Sequence, residues 1–256
     1  MGWEEAAKLA ICGFYGEDKG IRAAAVSRLG ETGRQVPSAS PSRPGRRNRR
    51  ISPLAPAPNP SQIARMALTP STMLPLGTIA PAFQLPDTNG KIVSLADFQS
   101  KSALLVVFIC NHCPYVVHIR AGLAQMARDY VPRGVGIVGI NANDAKNYPA
   151  DSPAQMKAEV NVAGYIFPYL FDETQSVAKA YRAACTPDFF IFNQDRKLAY
   201  RGQFDASRPG NSIPVTGNDL RAALDAVLAS RPVAQAQTAS IGCNIKWRPG
   251  NEPDYY

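Results

Sequence analysis

The stretch "VVFICNHCPYVVH", Val106 to His118, decides how the rest of the chain is read. It closes a continuous apolar run, "ALLVVFI" over 103–109, rich in β-branched residues and so suited to a central strand covered on both faces. The run breaks at Cys110, Asn111, His112 and Cys113. Pro114 then opens a segment in which Val116, Val117, Leu123, Met126 and Tyr130 recur with helical spacing, and proline fits a first helical turn. A second buried run, "GVGIVGIN" over 134–141, follows. Strand, helix and strand in this order predict a parallel pair joined by a crossover, with a C-x-x-C at the strand-to-helix junction.

Two thiols so spaced bind metal, exchange a disulfide, or simply pack. A structural zinc site needs four ligands, usually from two paired knuckles. The chain has one C-x-x-C and, as histidines, only His112 and His118, so no metal is expected. A C-x-x-C beside a βαβ pattern reads instead as a redox motif. Taken to lie just before the helix, Cys110 gains thiolate character from the unpaired N–H groups and partial positive charge there. Lowering a thiol pKa by about two units is worth roughly 2.7 kcal/mol. On this reading Cys110 attacks, and Cys113, one turn deeper, resolves the mixed disulfide. His112 either favours the thiolate further or is a polar loop residue; His118, on the helix body, reads as structural.

The 256 residues are 45% hydrophobic and 19% charged, enough for one good-sized domain with appendages. Residues 1–65 hold 11 of the 28 Lys and Arg and 5 of the 20 Asp and Glu, so +6 of the net +8 sits there and the remainder is nearly neutral. This segment is Pro-, Ser- and Arg-rich from Val36 onward and is expected to be a disordered basic extension, either a transit peptide or sequence upstream of a misplaced start at Met66. Its Arg run reads as a solvated tail, so no nucleic-acid partner is expected. No stretch reaches the ~18 apolar residues of a membrane span. Five cysteines, Cys12, Cys110, Cys113, Cys185 and Cys243, are too few and too scattered for a secreted disulfide framework. A cytoplasmic location is expected, with chloroplast or mitochondrion as the alternative if the extension is a transit peptide.

Residues 76–230 form the predicted domain. "FQLPDTNGKIVSL" holds two short strands around an Asn89-Gly90 turn, an N-terminal β-hairpin extension. "DSPAQMKAEV" reads as a helix with Ser152 as N-cap and Pro153 first inside, "QSVAKAYRA" as another, "DFFIF" and "KLAYRGQF" as strands, and "TGNDLRAALDAVLAS" as the last helix. A Pro/Ala/Gln spacer leads into a tail, 231–256, that carries Cys243. The fold class is α/β, with strands flanked by helices.

Strand, C-x-x-C, helix, strand, then "CTPDFFIFNQDRKLAYRG" resembles the thioredoxin superfamily. That resemblance implies a central mixed sheet and a proline, usually cis, opposite the active cysteines, a slot filled by Thr186-Pro187. "LGTIAPAFQLPDTNGKIVSLADF", "FICNHCPYV", "NANDAKNYPADS", "FPYLFDETQSVAKAY", "ACTPDFF" and "GCNIKW" together resemble the peroxiredoxin-like redoxin family, of AhpC/TSA type, from about Leu76 to Trp247. True peroxiredoxins place a Thr or Ser ahead of a peroxidatic cysteine that is followed by Pro. Here Cys113-Pro114 matches the latter pair, while Cys110 occupies the place of the hydroxyl residue. The resemblance implies a thiol-disulfide oxidoreductase in redox homeostasis, without a cofactor. It would act on a disulfide-containing protein or a small thiol or peroxide substrate, and be recharged by a thiol donor. A thiol peroxidase, or a metal-binding or structural member of the fold, are the alternatives.

The expected catalytic residues are Cys110 and Cys113, supported by His112, Pro114, Thr186 and Pro187. Cys185, next to Thr186, is either a further redox thiol or a buried bystander. Cys243 either docks near the site as a cap or redox partner, or rides on a loose tail. Asn141, Asn143 and Asp144 follow the second strand at its carboxyl end, where such sheets keep their sites, and also suit turn capping.

Overall fold

A computed structural model describes residues 68–255, all within the unit Ala55–Tyr256. The expectations for residues 1–65 lie outside the described residues. In chain order the strands and helices are β1 (Leu68–Pro70), β2 (Gln84–Pro86), β3 (Ile92–Ser94), β4 (Ala103–Phe108), α1 (Pro114–Tyr130), β5 (Val135–Asn141), α2 (Pro153–Ala163), β6 (Tyr169–Phe171), α3 (Ser176–Ala180), β7 (Cys185–Thr186), β8 (Asp188–Phe192), β9 (Leu198–Gly202), α4 (Asn218–Leu228) and β10 (Ile241–Asn244).

The main sheet is mixed, in the order β6-β5-β4-β8-β9. β4 runs parallel to β5, and β5 to β6, while β8 pairs antiparallel with β4 and β9. Every residue of β4 and β5 is buried, as their unbroken apolar sequences require. Alternation along β4 sends Leu105, Val107 and Ile109 into one core with α1, α4 and the cysteines Cys110, Cys113 and Cys243. It sends Leu104, Val106 and Phe108 into the other, with Val177, Ala178, Tyr181 and the β2-β3 hairpin residues Leu85 and Val93.

Helix α1 begins with Pro114 in its first turn and buries Val116, Ile119, Leu123, Met126 and Tyr130. Val117, expected on that face, is 44% exposed, because the next residue on a helix turns about a quarter of the way round. After Tyr130 the chain tightens through Val131–Arg133 and reverses at Gly134, whose φ of 89° suits a residue without a Cβ.

A second, three-stranded sheet has the order β1-β10-β7, all antiparallel. It pairs the segment ahead of Leu76 with the end of the chain and joins both to the strand that precedes Pro187. The tail carrying Cys243 is therefore a docked strand, with Cys243 opposite Thr186 and Asn244 opposite Cys185. Three further ties hold it: Ile245 donates its N–H to the Ala184 carbonyl, and Lys246 and Arg248 donate theirs to the side chains of Asn143 and Gln175.

Candidate active site

The end of β4 delivers Cys110 and the start of α1 delivers Cys113; the Thr186-Pro187 bond, which is cis, faces them. Cys110 Sγ lies 3.3 Å from the Thr186 hydroxyl, and Cys113 Sγ lies 3.0 Å from the Thr186 carbonyl. All four described cysteines are free and buried. Cys113 is fully buried and Cys110 and Cys243 are each 1% exposed, so the sulfurs meet in a pocket closed to water.

The helix begins at Pro114, where the sequence places it. Cys113, not Cys110, is the N-cap residue, and this reverses the expected distribution of charge. Burial opposes ionisation of Cys113, but the neighbouring thiols of Cys110 and Cys243, the Thr186 hydroxyl and the Val116 N–H favour its charged form and hold it well below the usual thiol range. The nearby Thr186 carbonyl pulls the other way, since it accepts only from a protonated sulfur. Cys110 moves well upward, through burial, its contact with Cys113 and the negative charge of Asp151, with the Thr186 hydroxyl acting against the rise. These directions favour the thiolate on Cys113 over one on Cys110.

Asn111 and His112 are held by a carboxylate that the sequence reading passed over. Asp151, fully buried in the loop before α2, accepts from the Asn111 N–H at 2.8 Å and from the Asn143 side-chain amide at 2.8 Å; its Oδ2 is 2.6 Å from His112 Nδ1. Asn141 donates to the Asp151 carbonyl at 3.0 Å. The His112 ring stacks on Tyr148, and the Tyr169 hydroxyl donates to Asn111 Oδ1 at 3.1 Å. Asn141 and Asn143 thus brace Asp151, whereas Asp144 caps its own turn through the Lys146 N–H and the Asn147 amide. What Asp151 offered in the sequence was its place in "YPADSP", directly ahead of the Ser152 cap; its 40-residue separation from Asn111 hid the contact.

The donor atoms of Cys110, His112 and Asp151 lie within 4.8 Å of one another, the spacing of a candidate cation site among the described residues. The carboxylate is already engaged by two amides, and three donors fall short of the four a structural zinc site takes. The fit is poor, and the group acts more simply as a brace that fixes the loop between the cysteines.

Other sequence candidates fall further out. Cys185 points its thiol at the carbonyls of Pro187 and Ser240 rather than at another sulfur, and burial and Asp188 hold it well above the usual range. His118 bonds the Ser207 hydroxyl at 2.7 Å. Pro114 serves as the first helical residue after Cys113. Pro187, with Tyr115, Arg208, Ser240 and Ile241, borders a narrow cleft that neither Cys110 nor Cys113 lines.

A βαβ unit with a C-x-x-C at its junction, facing a cis-proline on a mixed sheet, defines a thioredoxin-fold redox protein. The AhpC/TSA family matches residues 76–201, and the chain belongs to this redoxin branch of the thioredoxin superfamily. A crystal structure of an uncharacterized conserved protein from Geobacillus kaustophilus is 56% identical, with a TM-score of 0.71 over 72% of this chain and 98% of that one. A Mycobacterium tuberculosis protein provisionally named a peroxiredoxin is 28% identical over 116 residues, 45% of this chain and 69% of its own. The thiol-disulfide oxidoreductase ResA of Bacillus subtilis is 28% identical over 128 residues, 48% of this chain and 64% of its own.

Proposed function

We propose that the chain is a thiol-disulfide oxidoreductase whose working pair is Cys110 and Cys113. The observation that carries this is the contact of both sulfurs with Thr186, one through its hydroxyl and one through its carbonyl, beside each other and opposite Pro187. The Cys113 thiolate attacks a substrate disulfide, forming a mixed disulfide and releasing one substrate thiolate. The Cys110 thiol then attacks the Cys113 sulfur; the Cys110–Cys113 disulfide forms, the second substrate sulfur leaves, and the Cys110 proton goes to it. The substrate gains two electrons and the pair loses two, to be restored by an external thiol donor. Supporting this, the relative ResA is named a thiol-disulfide oxidoreductase.

A thiol peroxidase is the second reading, favoured by the complete burial of a low-pKa Cys113, which suits a peroxide better than a protein disulfide. Insulin reduction and peroxide consumption by Cys110→Ser and Cys113→Ser separate the two. The dithiol reading predicts loss of insulin reduction in both variants, with a mixed disulfide trapped on Cys113 in Cys110→Ser. Sustained peroxide turnover in Cys110→Ser, with sulfenic acid on Cys113, would replace it by the second reading.

A further inference from the structure

We propose that Cys243 is a third redox cysteine, and that Cys113 is the shared sulfur of a three-thiol relay able to form either a Cys110–Cys113 or a Cys113–Cys243 disulfide. This rests on Cys113 being a working thiol, as proposed above.

The placement is built into β10. Its register sets Cys243 opposite Thr186, the residue that touches both members of the C-x-x-C. Cys110, Cys113 and Cys243 all lie buried in the same core cluster, and the nearness of Cys110 and Cys243 favours the charged form of Cys113. The approach is close enough to demand glycine next door: a Cβ on Gly242 would lie 2.0 Å from the Thr186 carbonyl oxygen. β10 is hydrogen-bonded on both edges, to β1 and β7, and its continuation bonds Asn143, which also braces Asp151. Cys185, buried on the neighbouring strand, turns its thiol to the carbonyls of Pro187 and Ser240 instead.

Two balanced steps follow. The Cys243 thiol attacks the Cys113 sulfur of a Cys113-substrate mixed disulfide, forming Cys113–Cys243, and its proton leaves with the substrate thiol. Alternatively it attacks the Cys113 sulfur of the Cys110–Cys113 disulfide; Cys110 leaves and takes up the proton, with no net gain or loss of electrons. In the second step the oxidised state passes to the strand that carries the end of the chain, and Cys110 returns to its reduced form.

The test oxidises the full chain with glutathione disulfide, blocks remaining thiols after denaturation, and maps disulfides by mass spectrometry without reduction. In Cys110→Ser, more than half of Cys113 is expected in a Cys113–Cys243 peptide; Cys113 carried as a glutathione adduct, with Cys243 fully alkylated, overturns the relay. Pairing of Cys113 with Cys12 or Cys185 overturns it equally. Wild type read in parallel separates the two proposals. A Cys110–Cys113 peptide there, with no Cys113–Cys243 in the variant, sinks the relay and leaves the dithiol reading standing; no disulfide at Cys113 in either protein sinks both. Should Cys110→Ser fail to fold, by circular dichroism, partial oxidation of wild type decides: Cys113–Cys243 is expected alongside Cys110–Cys113, and Cys110–Cys113 alone at every time point overturns the relay.

Discussion

At the scale of single residues, the site turns on where a charge sits. A thiol at a helix N-cap ionises more easily than one a turn outside, and Cys113 has that place. Asp151 acts on its neighbour in the opposite sense, its negative charge adding to the burial that keeps Cys110 protonated. Removing that charge while keeping the shape, as in Asp151→Asn, is expected to move the pH profile of Cys110 alkylation to lower pH, read in a Cys113→Ser background so that one sulfur reports. A profile that stays put or moves upward would contradict the assignment. Asp151→Ala goes further and strands the Asn111 N–H and the Asn143 amide, at a cost of about 3 kcal/mol in unfolding free energy by denaturant titration. The thiols themselves were legible in the sequence, because a C-x-x-C at a strand exit is a local pattern. Asp151 was not, because nothing local marks a carboxylate that reaches the loop between the cysteines, where Asn111 lies 40 residues upstream.

At the scale of elements, β10 is the part that changes the picture. Four residues with a glycine among them make a weak strand signal on their own, and only pairing with β7 and β1 gives them structure. The sequence accordingly left open whether Cys243 docks or trails, while β4, α1 and β5, long and strongly patterned, were legible almost to the residue. With α1 starting at Pro114, the residue directly before it, Cys113, holds the N-cap, whereas the sequence reading had credited the helix start to Cys110. Gly242→Ala tests the docking directly. The added Cβ collides with backbone rather than with a yielding side chain. The variant is expected to lose about 2 kcal/mol of stability. Cys243 should alkylate about tenfold faster under native conditions if opening of the strand becomes easier by about 1.4 kcal/mol. Unchanged protection of Cys243 would show that the strand does not depend on this approach.

At the scale of the whole molecule, two cores share one sheet, and Cys110 and Cys113 belong to the core that α1 and α4 cover. Asp188 begins β8 on the far side of Pro187, fully buried. Burial pushes its carboxyl up to about 7, against the Ser71 side chain and the N–H groups of Ala184, Cys185 and Phe189, which favour the ionised form. Between its ordinary value of 3.8 and about 7 the folded protein binds a proton that the unfolded chain does not. Stability should therefore rise as pH falls through that window, by about 4 kcal/mol at most from this group. Denaturant titrations from pH 7.5 to 5 are expected to show that slope in wild type and to show it flattened in Asp188→Asn, whatever the variant's absolute stability; equal slopes would remove Asp188 as the cause. The α/β class, the parallel crossover and the Thr186-Pro187 strand were all legible because each is written in a contiguous run. The three-stranded sheet was hidden, since its strands are two to four residues long and lie at 68–70, 185–186 and 241–244. The central claim, that Cys110 and Cys113 form a reversible disulfide, meets its most direct test in the full chain equilibrated across glutathione redox buffers, with thiols trapped by alkylation and mapped by mass. The account predicts a two-electron transition in which Cys110 and Cys113 become joined and are fully recovered on reduction; if no oxidant joins these two sulfurs, the account is contradicted.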